Sequence, residues 1–273
     1  MTEARRGPSG RAGGGLGGEV RLIVHQARFE QLTFWRNPAS AFFTFAFPLM
    51  FLVIFASLNT GTTIDFFGGL NYNQYFIPGI IAYGVIAACF MNVALKLAIR
   101  RDSGLLKRER GTPLRARDFL AGLLLNQLLV AILLVVLTAL FGVLFYGVTF
   151  PGHYVALLVA LVVGAATFCA CGVAVAAMVP NADAAPAVIN LVMFPILFLS
   201  GVFFPVRPGS TISHIASVFP VRPLVQTIFA AFDPRLPHGP GNGFAWGDIG
   251  IMAIWFVVAS MFAVRHFRWE PRR

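Results

Sequence analysis

The sequence predicts an all-α membrane protein with six transmembrane helices, and three observations predict it. The 273 residues are 58% hydrophobic and 12% charged, against roughly a quarter charged in an ordinary soluble domain, so too little polar surface exists to coat a globule in water. Apolar runs of membrane-crossing length recur, and residues 119–182 contain no Asp, Glu, Lys or Arg at all. The basic residues gather between alternate runs. That pattern assigns the formal charge of +10 to membrane orientation instead of nucleic-acid binding.

Residues 1–18 are rich in Gly and Arg with almost nothing apolar, which predicts a disordered cytoplasmic tail. The first apolar run begins near residue 39, and Arg5-Arg6 precedes glycine instead of an apolar stretch, so a retained N-terminus is expected. Residues 19–37 read as an amphipathic interfacial helix. Val20, Ile23, Val24, Ala27, Phe34 and Trp35 share an arc of about 120°, with Arg21, His25, Arg28, Glu30 and Arg36 outside it.

A six-helix domain over 39–267 follows. Residues 39–58 are uncharged and long enough to cross about 30 Å of hydrocarbon, with Pro48 placing a kink. Residues 59–75 read as a loop and 76–98 as the second span, with Lys96 able to snorkel to the interface. The uncharged stretch divides at 146–154, where turn formers are bracketed by Tyr146 and Tyr154, giving spans at about 119–145 and 154–179. A fifth span is expected at about 187–204 and a sixth at 247–265. Between them, 212–219 and 224–232 are apolar but too short to cross, which suits short extracytoplasmic re-entrant or interfacial helices. Residues 268–273 are a second cytoplasmic tail.

Six of the 21 Lys and Arg precede span one, seven lie in 99–118, four follow span six and three lie between spans five and six. The positive-inside rule then sets both termini and the loop after span two in the cytoplasm, a parity that six spans satisfy.

Reactive chemistry is sparse. Lys96 and Lys107 are preceded by leucines, not by the glycine that a phosphate-cradling Gly-Lys-Ser/Thr turn requires. No span holds a carboxylate at its middle, which argues against a proton-coupled carrier. Cys89, Cys169 and Cys171 read as small packing residues. His25, His153, His214, His238 and His266 are scattered, and no metal site or catalytic residue is expected.

The strongest positive signal is Arg100-Arg101-Asp102-Ser103-Gly104-Leu105-Leu106-Lys107-Arg108-Glu109-Arg110-Gly111-Thr112-Pro113-Leu114. A plain anchoring loop would need the charges but not the leucines, so the block reads as an amphipathic helix that docks on a partner. It resembles the cytoplasmic coupling loop of type-two ABC transporter permeases, in Asp102, Gly104, Leu106, Lys107, Arg108, Arg110, Thr112, Pro113 and Leu114. Ser103 stands where that family often has an acidic residue. Leu199-Ser200-Gly201-Val202-Phe203-Phe204-Pro205 is similar to the family's exit from span five.

The resemblance, over about residues 19–270, points to the drug- or lipid-exporting, daunorubicin-resistance-like branch. It implies the permease subunit of a bacterial multidrug or lipid exporter in the inner membrane, paired with a second copy or a sister permease. ATP and Mg would be bound, and ATP hydrolysed, on a separate nucleotide-binding subunit, with no cofactor on this chain. The coupling surface so implied comprises Asp102, Gly104, Leu105, Leu106, Lys107, Arg108, Glu109, Arg110, Thr112, Pro113 and Leu114, with Arg28 and Glu30 on the N-terminal helix. By the same analogy spans two and five line the substrate path, naming Phe90, Asn92, Asn190, Met193, Phe194 and Phe198. Polysaccharide or glycolipid exporters share this layout. A secondary carrier, which needs inverted repeats or midplane ionisable groups, and a membrane assembly protein are the readings of another class.

Overall fold

A computed structural model describes residues 16–110, 116–207, 209–232 and 243–267. Its helices are α1 (Leu16–Trp35), α2 (Pro38–Leu58), α3 (Tyr72–Ile86), α4 (Asn92–Asp102), α5 (Leu105–Arg110) and α6 (Ala116–Tyr146). They continue as α7 (Tyr154–Met178), α8 (Ala185–Leu199), α9 (Thr211–Val218), α10 (Val221–Phe232) and α11 (Trp246–His266). Two-residue strands β1 (Thr63–Ile64) and β2 (Leu70–Asn71) pair antiparallel in the segment expected to be loop. A π-helical turn, Ala87–Met91, joins α3 to α4, so that Tyr72–Asp102 is one span of 31 residues.

Among the described residues, five helical segments are long and apolar enough to cross a membrane: α2, the α3–α4 rod, α6, α7 and α11. With this content the chain is an all-α, multi-pass membrane protein. The α3–α4 rod and α7 are the most enclosed, while α2 and α11 leave most of their surface outward. Small residues let the two central rods meet: a Cβ at Gly172 of α7 would lie 2.9 Å from the Phe90 carbonyl oxygen. Further along, Thr167 donates across to the Met252 carbonyl at 3.1 Å, pinning α7 to α11.

Several boundaries differ from expectation. The fifth apolar segment is helical only over Ala185–Leu199 instead of 187–204, because Gly201 turns to φ 84° and Pro205 follows. Its 15 residues reach about 22 Å, short of the hydrocarbon thickness. The second segment starts at Tyr72 instead of 76, with Asn71 capping it, and runs on to Asp102, past the expected end at 98, because its terminal arginines find buried partners. The N-terminal helix starts at Leu16, so residues 16–18 are helical; the rest of the expected tail, 1–15, and the tail 268–273 lie outside the described residues.

α9 and α10 meet at 99°, the geometry of a broken span or a re-entrant pair. α10 is buried almost throughout, against α3, α7 and α11. Its Arg222 donates to Ser213 Oγ at 2.9 Å. Gln226, with its amide oriented so that both groups are paired, accepts from Arg222 Nε at 3.3 Å and donates to Asp248 at 3.1 Å. This end also holds the start of α3: Tyr75 donates to the Gly201 carbonyl at 2.7 Å and Tyr72 to that of Phe203 at 3.3 Å. The other end, where α4 runs into α5, is called the basic end below.

Candidate coupling site

At the basic end four elements converge on charged side chains. The buried stripe of α1 is Ala27, Glu30 and Phe34, with Ile23 half-buried. Glu30 is fully buried, contrary to its expected place on the polar side. Its partners explain this. Arg100 grips it with two bonds, Nη1 to Oε1 at 2.6 Å and Nη2 to Oε2 at 3.0 Å, and Lys96 reaches Oε2 at 2.8 Å. Gln26 adds a bond to Oε1 at 3.3 Å. A carboxylate can be buried at this cost only when it is paired and hydrogen-bonded. Burial is the largest influence on its pKa and pushes it up, but the Arg100 and Lys96 charges and hydrogen bonds together hold it below the ordinary 4.5.

Lys96, expected to snorkel, therefore turns inward to α1. The Arg100 guanidinium also stands 5.9 Å from the Phe119 ring centre of α6. Arg101, one position on, points the other way and is 1% exposed. It donates to the carbonyls of Ala176, at 2.9 Å, and Val179, at the C-terminal end of α7, where the helix itself supplies no backbone donors for them. A cation there also meets the negative end of the helix dipole. Asp102 accepts from the Ala182 backbone N–H at 3.1 Å. The end of α4 thus holds α1 on one side and the α7–α8 turn on the other.

From this knot the chain turns through Gly104, at φ 72°, into α5. Leu106 is fully buried and joins the core, whereas Leu105 and Lys107 face outward. Among its described side chains, Leu106 anchors this six-residue helix while Leu105 and Lys107 are presented outward. Of the other expected coupling residues, Arg28 is exposed on α1. Arg108, Glu109 and Arg110 continue α5, and their side chains lie outside what is described, as do Thr112, Pro113 and Leu114. Sequence reasoning missed Lys96, Arg100 and Arg101 as members of this site.

The expected path residues lie in different environments. Phe90 and Met193 are buried within the bundle. Asn92 lines an open groove of about 260 Å³ with Phe43, Phe47, Tyr83 and Met91, between α2 and the α3–α4 rod. Asn190 is half-buried on α8, while Phe194 and Phe198 are exposed there. Rings connect the groove to α8: Phe47 to Tyr83 at 6.3 Å, Tyr83 to Phe203 at 5.6 Å and Phe203 to Phe198 at 5.7 Å between centres. Tyr83 and Phe203, absent from the expected set, supply the continuity. Among the described residues no group of His, Cys, Asp and Glu could hold a metal ion.

Compared with known protein families, residues 22–232 match the model described as ABC-2 type transporter. The match takes in α1 from residue 22 onward, the basic end, α8 and the α9–α10 pair. None of the curated proteins compared with the chain matches it.

Proposed function

The chain belongs to the ABC-2 type transporter family, and we propose that it is the permease subunit of an ATP-driven exporter that moves a hydrophobic or amphipathic, drug- or lipid-like substrate. The observation that carries the reading is α5, a short helix docked through the buried Leu106 and offering Leu105 and Lys107 outward. So short a helix has little stability of its own, so its exposed face serves best as a handle for a second protein. That protein is a separate ATPase subunit carrying ATP and Mg. Helix α1, through Glu30, shares any movement of α4, which supports a role for the N-terminal helix in the same transmission.

The ring-lined surface supports this substrate class. Phenylalanine and Met side chains repack around varied apolar shapes, and the path from Phe47 through Tyr83 and Phe203 to Phe198 offers such a surface from α2 to α8. The exposed Leu191, Phe194 and Phe198 of α8 suit a second permease, a copy or a sister, across a shared cavity. The basic end faces the cytoplasm of a bacterial cell in this reading, with both termini on that side.

Co-purification from lipid tests it. The expected result is a small ATPase retained by the chain and an ATP hydrolysis rate that rises with amphipathic compounds. A chain that purifies alone, and moves substrate down an ion gradient, would be a secondary carrier and would overturn the proposal.

A further inference from the structure

We infer that Arg101 and Asp102 form a latch through which α5 moves α8, so that the fifth apolar segment is driven from the α7–α8 turn and not only through the body of the bundle. The inference rests on the permease reading. Adjacent residues at the end of α4 clasp both ends of one turn. Arg101 holds the end of α7 through the Ala176 and Val179 carbonyls, and reaches Pro180 at 3.5 Å. Asp102 holds Ala182. The turn is itself tied to α8: Asn181 Oδ1 accepts from Ala184 N at 2.9 Å, and Ala185 N donates to the Ala182 carbonyl at 3.2 Å. Ala185 is the first residue of α8. Only Ser103 and Gly104 separate the latch from α5 on the other side.

The two halves differ in permanence. Arg101 is buried against carbonyls that would otherwise be unpaired, so it stays in place and acts as a pivot. Asp102 is exposed, and its bond to Ala182 competes with water. A bond of that kind forms and breaks at little net cost, which is what a moving contact requires. When α5 shifts, a closed Asp102–Ala182 contact drags the start of α8; an open one lets the turn swing about Arg101.

The test uses the full chain with its co-purified ATPase subunit in proteoliposomes. Cys89, Cys169 and Cys171 are replaced by Ala, and a Leu199→Cys substitution at the far end of α8 is labelled with a membrane-impermeant maleimide. In this background, ATP with vanadate is expected to change the labelling rate. Asp102→Ala is expected to bring the ratio of labelling rates with and without nucleotide to unity. Asp102→Asn, whose side-chain carbonyl still accepts from Ala182, is expected to keep the response. Ala182→Pro, which removes the donor and leaves Asp102 intact, is expected to retain the ATPase and its hydrolysis while losing the labelling response as Asp102→Ala does.

The latch is overturned if Asp102→Ala responds as the background does, or if Asp102→Asn fails as Asp102→Ala does. A normal response in Ala182→Pro also overturns it, by making Asp102 a docking contact for the ATPase and not a holder of the turn. An ATPase that binds the background without altering Leu199→Cys labelling overturns the latch alone. Absence of any co-purifying ATPase overturns the permease reading, and the latch with it.

Discussion

Glu30 and Arg100, 70 positions apart, form a two-pronged ion pair at 2.6 and 3.0 Å with the carboxylate fully buried. It is the charged contact that fastens α1 to the α3–α4 rod, and Lys96 adds a second cation at 2.8 Å. Breaking a buried pair from one side leaves an uncompensated charge, at about 3–5 kcal/mol. Glu30→Gln is therefore expected to lower the unfolding temperature in detergent and to loosen α1, seen as faster proteolysis between α1 and α2. Unchanged values in both measurements would remove the pair from the fold's supports.

The same contact gives a pH dependence. The folded pKa of Glu30 lies below 4.5, so its contribution is fully present above the ordinary carboxyl value. It is lost as pH falls through the lowered folded value. Thermal stability of the wild-type chain should drop across that acidic window. In Glu30→Gln this component of the slope should vanish.

Inside the bundle, Gln127 donates to the Ala88 carbonyl at 2.7 Å and accepts from Asn126 Nδ2 at 3.0 Å. Ala88 belongs to the π turn, where the widened backbone frees carbonyls from their usual helical partners. Gln127→Leu leaves both the carbonyl and the Asn126 amide unpaired, at about 1–3 kcal/mol each when buried. A fall in unfolding temperature is expected, together with partial recovery in the Asn126→Leu, Gln127→Leu double variant, which removes one of the two orphans. Additive losses would refute the shared network.

Much of this fold was legible in the sequence, because membrane spans are written in local composition. The apolar segments and the breaks between them need only neighbouring residues, and helices begin within two or three positions of where the charges and turn formers suggest at Pro38, Ala116, Tyr154 and Trp246. Glu30 was not legible. The buried face of α1 runs Ile23, Ala27, Glu30, Phe34, a regular helical stripe that a hydrophobic wheel rejects because one member is a carboxylate. Only the spacing could have flagged it, since the compensating cations lie 66 and 70 positions away. The early end of α8 is a similar case. Apolar composition continues through Phe204, and the stop is set by backbone conformation at Gly201, not by polarity. Arg101 reads as one more basic-loop residue until the end of α7 is placed beside it.

Gly79 and Gly247 offer a paired test of packing. A Cβ at Gly79 would collide with the Val202 carbonyl oxygen, a backbone atom that cannot rotate away. Gly79→Ala must push the segment after α8 outward, at about 1–3 kcal/mol for such overpacking. Gly247, in the first turn of α11, has nothing within 4 Å of an added Cβ. Gly247→Ala should be neutral or stabilising by up to about 1 kcal/mol. Unfolding temperatures of the two variants should therefore move in opposite directions, or the first alone should fall.

Leu105 and Leu106 are neighbours on α5 with opposite environments, the first 41% exposed and the second fully buried. If α5 is a docked handle, the two should fail differently. Leu106→Ala removes the anchor; a core leucine truncated to Ala costs about 2–5 kcal/mol, more than a six-residue helix can hold against. The loss falls on α5 and not on the bundle, because the α3–α4 rod keeps Glu30 and the α7 carbonyls as partners. Unfolding temperature should change little, while ATPase retention and stimulated hydrolysis collapse together. Leu105→Ala leaves α5 docked and trims only the outward face. A peripheral apolar contact of about 1.4 kcal/mol would weaken ATPase binding about tenfold, with hydrolysis restored at higher ATPase concentration. Titrating the purified ATPase against each variant separates the two: Leu105→Ala should saturate at the wild-type rate and Leu106→Ala should plateau well below it. Equal plateaus would mean that α5 is held by something other than Leu106, and the handle would have to be sought elsewhere on the basic end.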